Sequence, residues 1–334
     1  MAAEYDSLTD FGWQGIRLRV PDQWNLGRVD GNADSGYIRL DDARIVRAEI
    51  EWRTAKRGEV LPVRSMVDRY LENLEKKAGK AGLSFKVQRN ARFLKDKKWL
   101  EGKDYEAFCW QADFQAHNLA LKTHPNRLML VRVLTRLDGQ EGDIPVVPVI
   151  RSVQDDYHAE NWLWSVFGVQ FTMPADFKLE SHELKSGHIK FNFERGRESC
   201  NIERLSMAKM LLKDQELAAW YPVFYKKKLN DLSFETVAES VRDHEGIRIH
   251  GKPRSRFRQL MRPLPWISAR PRMHMHGLVW HCRASNKICV VDHFYRKKEQ
   301  RGDFTDRIAH GYLCHQEATK AQTRRHAQLQ AGSQ

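Results

Sequence analysis

The chain has 334 residues, 41% of them hydrophobic, with 10 Trp and 15 Phe; that is apolar material for two cores and excludes wholesale disorder. No run approaches the roughly 18 uninterrupted apolar residues of a membrane helix, which excludes insertion by a helix. A formal charge of +13, from 56 Lys+Arg against 43 Asp+Glu, favours polyanionic partners without choosing between nucleic acid, an acidic protein face and an anionic surface.

The N-terminal residues 1–6 are acidic and lack the apolar core of a signal peptide. The five cysteines, Cys109, Cys200, Cys282, Cys289 and Cys314, follow no disulfide or metal spacing. Both features fit a reducing compartment, and the expected location is the cytoplasm.

The first predicted element is a strand. Ile16, Leu18 and Val20 alternate with Arg17 and Arg19, Pro21 ends the ladder, and Trp24 turns back onto the core. The same phrase, a glycine followed by three alternating apolar residues, a proline and an aromatic, returns 153 positions later as Gly168, Val169, Phe171, Met173, Pro174 and Phe177. A repeat of that period is a whole domain, so a tandem duplication is expected. Strands are predicted next at 36–40 and 45–52, answered by 187–191 and 199–205. A helix then starts at Pro62, with Met66, Val67, Tyr70, Leu71, Leu74 and Ala78 on one face and Gly79 as its C-cap. Its counterpart carries Leu217, Trp220, Tyr221, Phe224 and Lys228, and Pro222 should kink or shorten it. Hairpins follow at 117–133, turning at Pro125-Asn126, and at 276–293, turning at Ser285-Asn286. Each copy closes with a short helix, near 149–157 and 304–314, and 155–164 reads as the linker.

This order predicts an α+β fold: two tandem copies of a mostly antiparallel sheet flanked by helices, an αβα sandwich, over 1–158 and 159–316. Residues 317–334 form a polar, frayed tail. The opening motif at 15–24 and 168–177 resembles the first strand of PsbP-like domains, the superfamily of the photosystem II PsbP subunits and a Ran-binding nuclear import factor. The resemblance implies a sheet sandwiched by helices and work done by binding other proteins, and it transfers no catalytic residue.

The copies differ most at 252–272, where the second has gained ten residues. The segment holds Lys252, Arg254, Arg256, Phe257, Arg258, Arg262, Trp266, Arg270 and Arg272 together with four prolines. Arginine forks grip phosphate or carboxylate, aromatic faces stack on bases, and prolines lower the entropy cost of ordering. The other reading is an edge insertion that charge and proline protect from aggregation. Histidines and cysteines crowd the stretch after it. A two-plus-two zinc site can be drawn from His274 and His276 on one strand face with Cys282, and His310 and Cys314 at helical spacing, though the pattern matches no familiar zinc motif and chance clustering is the rival. Cys282 and Cys289 should face each other across the second hairpin.

No phosphate loop, GxSxG or HExxH is present, and no cofactor is implied. The sequence therefore points to a non-enzymatic adaptor that binds another protein. Nucleic-acid binding through the basic segment, RNA before DNA, is the second reading, and a zinc-dependent enzyme or sensor is the third.

Overall fold

The computed structural model describes residues 8–137, 144–254, 273–296 and 303–315. They divide into two compact units, Met1–Phe167 and Gly168–Gln334.

In the first unit, β1 (Leu8–Trp13) and β2 (Ile16–Pro21) form a hairpin whose turn places Gln14 at φ 50° and Gly15 at φ 82°. Both residues are left-handed, as a two-residue turn between right-twisted strands requires. Then follow β3 (Asn25–Gly31), β4 (Ser35–Asp41), β5 (Val46–Thr54), α1 (Val63–Lys80), β6 (Lys86–Arg89), β7 (Tyr105–Gln111), β8 (Phe114–His124), β9 (Arg127–Arg136), α2 (Val146–Ser152), β10 (Gln154–Asp155) and β11 (Asn161–Val166). Strands β3 to β9 make one antiparallel sheet in the order β3-β4-β5-β9-β8-β7-β6. β10, β2, β1 and β11 belong to a smaller sheet in that order.

The helical stripe of α1 does what its spacing predicts. Val63 and Val67 are buried, with Tyr70, Leu71 and Leu74 packed beside them against Phe108, Trp110, Leu128 and Leu130. The helix runs past Gly79 to Lys80, so the cap is at Ala81. Met129, Val131 and Val133 alternate onto the opposite face of β9 and are buried too, and α2 packs there between β2 and β9. Burial on both faces is why 128–134 is apolar almost without interruption.

The second unit holds β12 (Val169–Pro174), β13 (Lys178–Lys185), β14 (His188–Arg195), β15 (Glu198–Ser206), α3 (Ala208–Leu212), α4 (Leu217–Phe224), α5 (Lys226–Leu229), β16 (Leu232–Val241), β17 (His244–Pro253), β18 (His274–Cys282), β19 (Lys287–Tyr295) and α6 (Phe304–Gly311). Its sheet runs β13-β14-β15-β19-β18-β17-β16, all antiparallel. Ala208, Leu212, Leu217, Trp220, Tyr221 and Leu229 cover one face over Ile249, Met275, Val279 and Val290. Phe171, Trp280, Phe304 and Tyr312 lie on the other. The opening phrase takes one geometry in both units: the Trp24 N–H donates to Pro21 O and the Phe177 N–H to Pro174 O, each at 3.0 Å.

The expected helix-flanked αβα sandwich is not what the chain forms. The described residues are predominantly β, 52% strand against 19% helix, in three sheets. Strands unseen in the sequence account for the difference. β3 and β13 are sheet edges exposed along most of their length, so they carry polar residues on both faces and show no alternation. β11 lies where a linker was expected, and it buries Trp162 and Trp164. The helix predicted at 149–157 ends at Ser152, and the one at 304–314 ends at Gly311.

Candidate metal centre

Three stretches of the second unit, distant in sequence, meet at one end of its sheet. His244 opens β17 directly after a tight turn that holds Arg242 and Asp243 at φ 48° and 63°. Cys282 closes β18. Cys314 and His315 follow α6, where the Leu313 N–H donates to Gln170 O at 2.8 Å and the Tyr312 ring is enclosed against Phe171 and Trp280. The ligand atoms of His244, Cys282, Cys314 and His315 all lie within 4.8 Å of one another. Cys314 Sγ is 3.2 Å from His244 Nε2 and 3.3 Å from His315 Nδ1, and Cys282 Sγ is 3.3 Å from the same His315 nitrogen.

Both cysteines are buried and both histidines half-buried. Burial, then the neighbouring His315 and Arg242, lowers the His244 pKa. Burial and the adjoining Cys282 push the Cys314 thiol up to about 11. The Ser285 hydroxyl sits 3.1 Å from Cys282 Sγ and 3.0 Å from the Cys314 carbonyl oxygen. Two thiols and two imidazoles are the donor set of a soft divalent cation.

Of the ligand candidates His274, His276, His310 and Cys314, only Cys314 stands in this group, together with Cys282 from the strand that carries His274 and His276. His274 and His276 do share the face of β18 with Cys282, but His276 is six residues, roughly 20 Å, along the strand from it. There His276 Nε2 lies 2.9 Å from Tyr295 Oη and its ring meets His250, while His274 stacks on Tyr295. His310 Nδ1 is 2.8 Å from Asp306 O on the exposed side of α6; Cys314 lies beyond the helix end, so the two share no helix face. Cys289 stands opposite Trp280, and Cys282 opposite Lys287, because the hairpin turns through four residues, 283–286. His244 was missed because nothing near it in the chain signals a ligand. His315 was visible only as one more histidine in a crowded tail.

Lys252 and Arg254 of the basic segment lie at the end of β17, where the Arg254 guanidinium donates from Nε to Leu232 O at 2.9 Å. Arg256, Arg258, Arg262, Trp266, Arg270 and Arg272 lie outside the described residues.

Beside His244, on the α4 face of the sheet, a cleft of about 1050 Å³ opens between the α3–α4 connection and the turn from β16 to β17. Asp214, Glu216, Glu239, Asp243 and Glu245 line it, against Lys209 and Arg283. Lys213 and Asp214 are both left-handed, at φ 47° and 62°, so this rim is built from conformations that only surrounding structure maintains. α3, α4 and the residue before α3 also expose Met207, Met210, Val223 and Phe224.

No helix among the described residues is long and apolar enough to cross a membrane. No family model and no curated protein matches the sequence. Among solved structures, the chain is similar to the apo immunity protein TplEi of the T6SS from Pseudomonas aeruginosa, at 8% identity and a TM-score of 0.33, covering 92% of this chain and 97% of that one. It is similar to the same protein complexed with "L" peptide, at 9% identity and 0.31 over 93% and 99%. A chain of the Tle4–Tli4 complex is similar at 8% identity and 0.34, also over 93% and 99%.

Proposed function

We propose that the chain is a non-enzymatic protein that works by binding another protein, with the cleft of the second unit as its contact surface. The observation that carries this reading is the cleft itself. Five carboxylates against two cations line an open groove in a chain of net charge +13, and large apolar side chains stand exposed on the helices that form its rim. Apolar anchors next to a charged rim are the make-up of an interface, and the sign of the rim suits a segment bearing lysine or arginine.

The reactive groups elsewhere in the chain support binding over catalysis. Burial raises the thiols of Cys109, to about 11, and of Cys200 and Cys289 further, away from the nucleophilic thiolate. Lys228 is enclosed between carboxylates. The reading includes a reducing, cytoplasmic setting, in keeping with five buried free cysteines, and descent of both units from one duplicated domain, in keeping with their matching strand orders.

The test is a stoichiometric pull-down from native lysate with the wild-type chain and with the double variant Met210→Ser/Glu216→Lys. The expected result is one protein retained by the wild type and weakened at least about tenfold in the variant, with an unchanged circular dichroism spectrum. Equal retention by both, or co-purifying nucleic acid in place of a protein, would remove the cleft from the function.

A further inference from the structure

We propose that His244, Cys282, Cys314 and His315 hold a structural zinc ion. A tetrahedral site with Zn–S near 2.3 Å and Zn–N near 2.0–2.1 Å has S···N edges of about 3.6 Å and an S···S edge of about 3.8 Å. The three sulfur–nitrogen separations of 3.2–3.3 Å already lie within a few tenths of an ångström of such an edge. No pair exceeds 4.8 Å, so side-chain rotation closes the figure without moving the backbone far. Two thiolates and two imidazoles select zinc over magnesium or calcium.

The surroundings agree with this assignment. The Ser285 hydroxyl is in reach of Cys282 Sγ, which is the outer-shell support that ligating sulfurs receive. All four positions come from protein, and a closed set of this kind is structural, whereas a catalytic zinc keeps one position for water.

The first unit shows what the site does. There the segment after α2 is tied to the β8–β9 hairpin by Asp155, which accepts from Arg127 Nε at 2.7 Å and from the Thr123 hydroxyl. Arg127 and Asp155 are almost wholly enclosed. In the second unit the segment after α6 reaches the β18–β19 hairpin with Cys314 and His315 instead of a carboxylate, and no arginine of that hairpin is paired with them. Zinc adds a side-chain tie there to the Ser285 hydroxyl on Cys314 O, and through His244 it also fastens the β16–β17 turn, whose Arg242 reaches Tyr312 O. This inference is independent of the binding function proposed above.

The experiment uses the full chain expressed with added zinc and purified under reducing conditions. Elemental analysis should find one zinc per chain in the wild type and in Cys109→Ser, and next to none in Cys282→Ser/Cys314→Ser. Cobalt alone, added to metal-stripped wild type, should give the visible bands of a tetrahedral, thiolate-ligated ion. His244→Ala and His315→Ala should each weaken zinc binding at least about tenfold. Stripping the wild type with a chelator should lower its thermal midpoint by roughly 5 °C or more. Failure of the reduced wild type to take up zinc, cobalt bands without thiolate character, or a Cys282–Cys314 disulfide in protein isolated without oxygen would each overturn the proposal. The wild-type titrations decide the matter even if a variant fails to fold.

Discussion

His293 on β19 is enclosed by Phe177, Tyr295 and Phe304, with Nε2 3.0 Å from Glu198 Oε2 and with Arg195 and His276 as the other charged or titratable neighbours. Burial lowers its pKa from 6.5 to about 4, against the pull of Glu198. The unfolded chain therefore takes up a proton below pH 6.5 that the folded chain refuses until about pH 4. Stability from this group is complete above 6.5 and lost as pH falls towards 4, by roughly 3 kcal/mol. Denaturant unfolding at pH 7, 5.5 and 4 should show this loss, and His293→Gln should flatten the profile between pH 6.5 and 4. An unchanged slope in the variant would assign the loss to other groups. Glu203 acts in a separate window. Burial opposes its charge, but His188 and Lys228 hold its pKa down at about 2, so its contribution is lost only between about pH 4.5 and 2.

Among the elements, α4 and α5 show how a short, proline-broken helix pair is retained on a sheet. Pro222 lies inside α4, and the axis breaks at Tyr225. Neither piece reaches the length at which a helix is stable alone, so tertiary contacts must hold both. Trp220 and Leu217 supply the apolar part. The polar part is a buried network in which the Tyr221 hydroxyl lies 2.9 Å from both Asp292 carboxylate oxygens, Tyr225 donates to Glu203 at 3.1 Å, and Lys228 pairs with both acids. Burial works against the Lys228 charge, yet Asp292 and Glu203 raise its pKa. Lys228→Ala leaves Asp292 without its cation and Glu203 with His188 alone, and should cost about 3–5 kcal/mol. Hydrogen exchange should show amide protection lost first over 217–229; full protection there would mean that apolar contacts suffice. The first unit also sets one cation between two carboxylates beneath its helix, but there the cation comes from the sheet: Arg132 lies under the Tyr70 ring at 4.8 Å and pairs with Glu49 and Glu51.

At the scale of the molecule, the first unit extends through Phe167 because β11 belongs to its smaller sheet. Trp164 meets Trp13 at 5.1 Å between ring centroids, the Ser165 hydroxyl donates to Asp10 O at 2.7 Å, and Trp162 closes over Gly15. A fragment of residues 1–167 should unfold cooperatively, and one of residues 1–158 should be less stable by at least about 3–5 kcal/mol, the cost of losing large buried aromatics. Equal midpoints for the two fragments would show β11 to be dispensable. What the residues alone made legible was local. The 3.6-residue stripe of α1, the alternation of β2 and β12, the turn at Pro125-Asn126 and the shortness of α4 around Pro222 each follow from neighbours in the chain. Polar edge strands such as β3 and β13 escaped, because a strand without a buried face has no periodicity to read, and that shortfall turned a β-rich protein into an expected helix sandwich. The grouping of His244 with Cys282, Cys314 and His315 was decided by tertiary structure only. Its members arrive from a tight turn, a strand end and the segment after a helix, and no spacing rule relates side chains that meet only when the sheet closes.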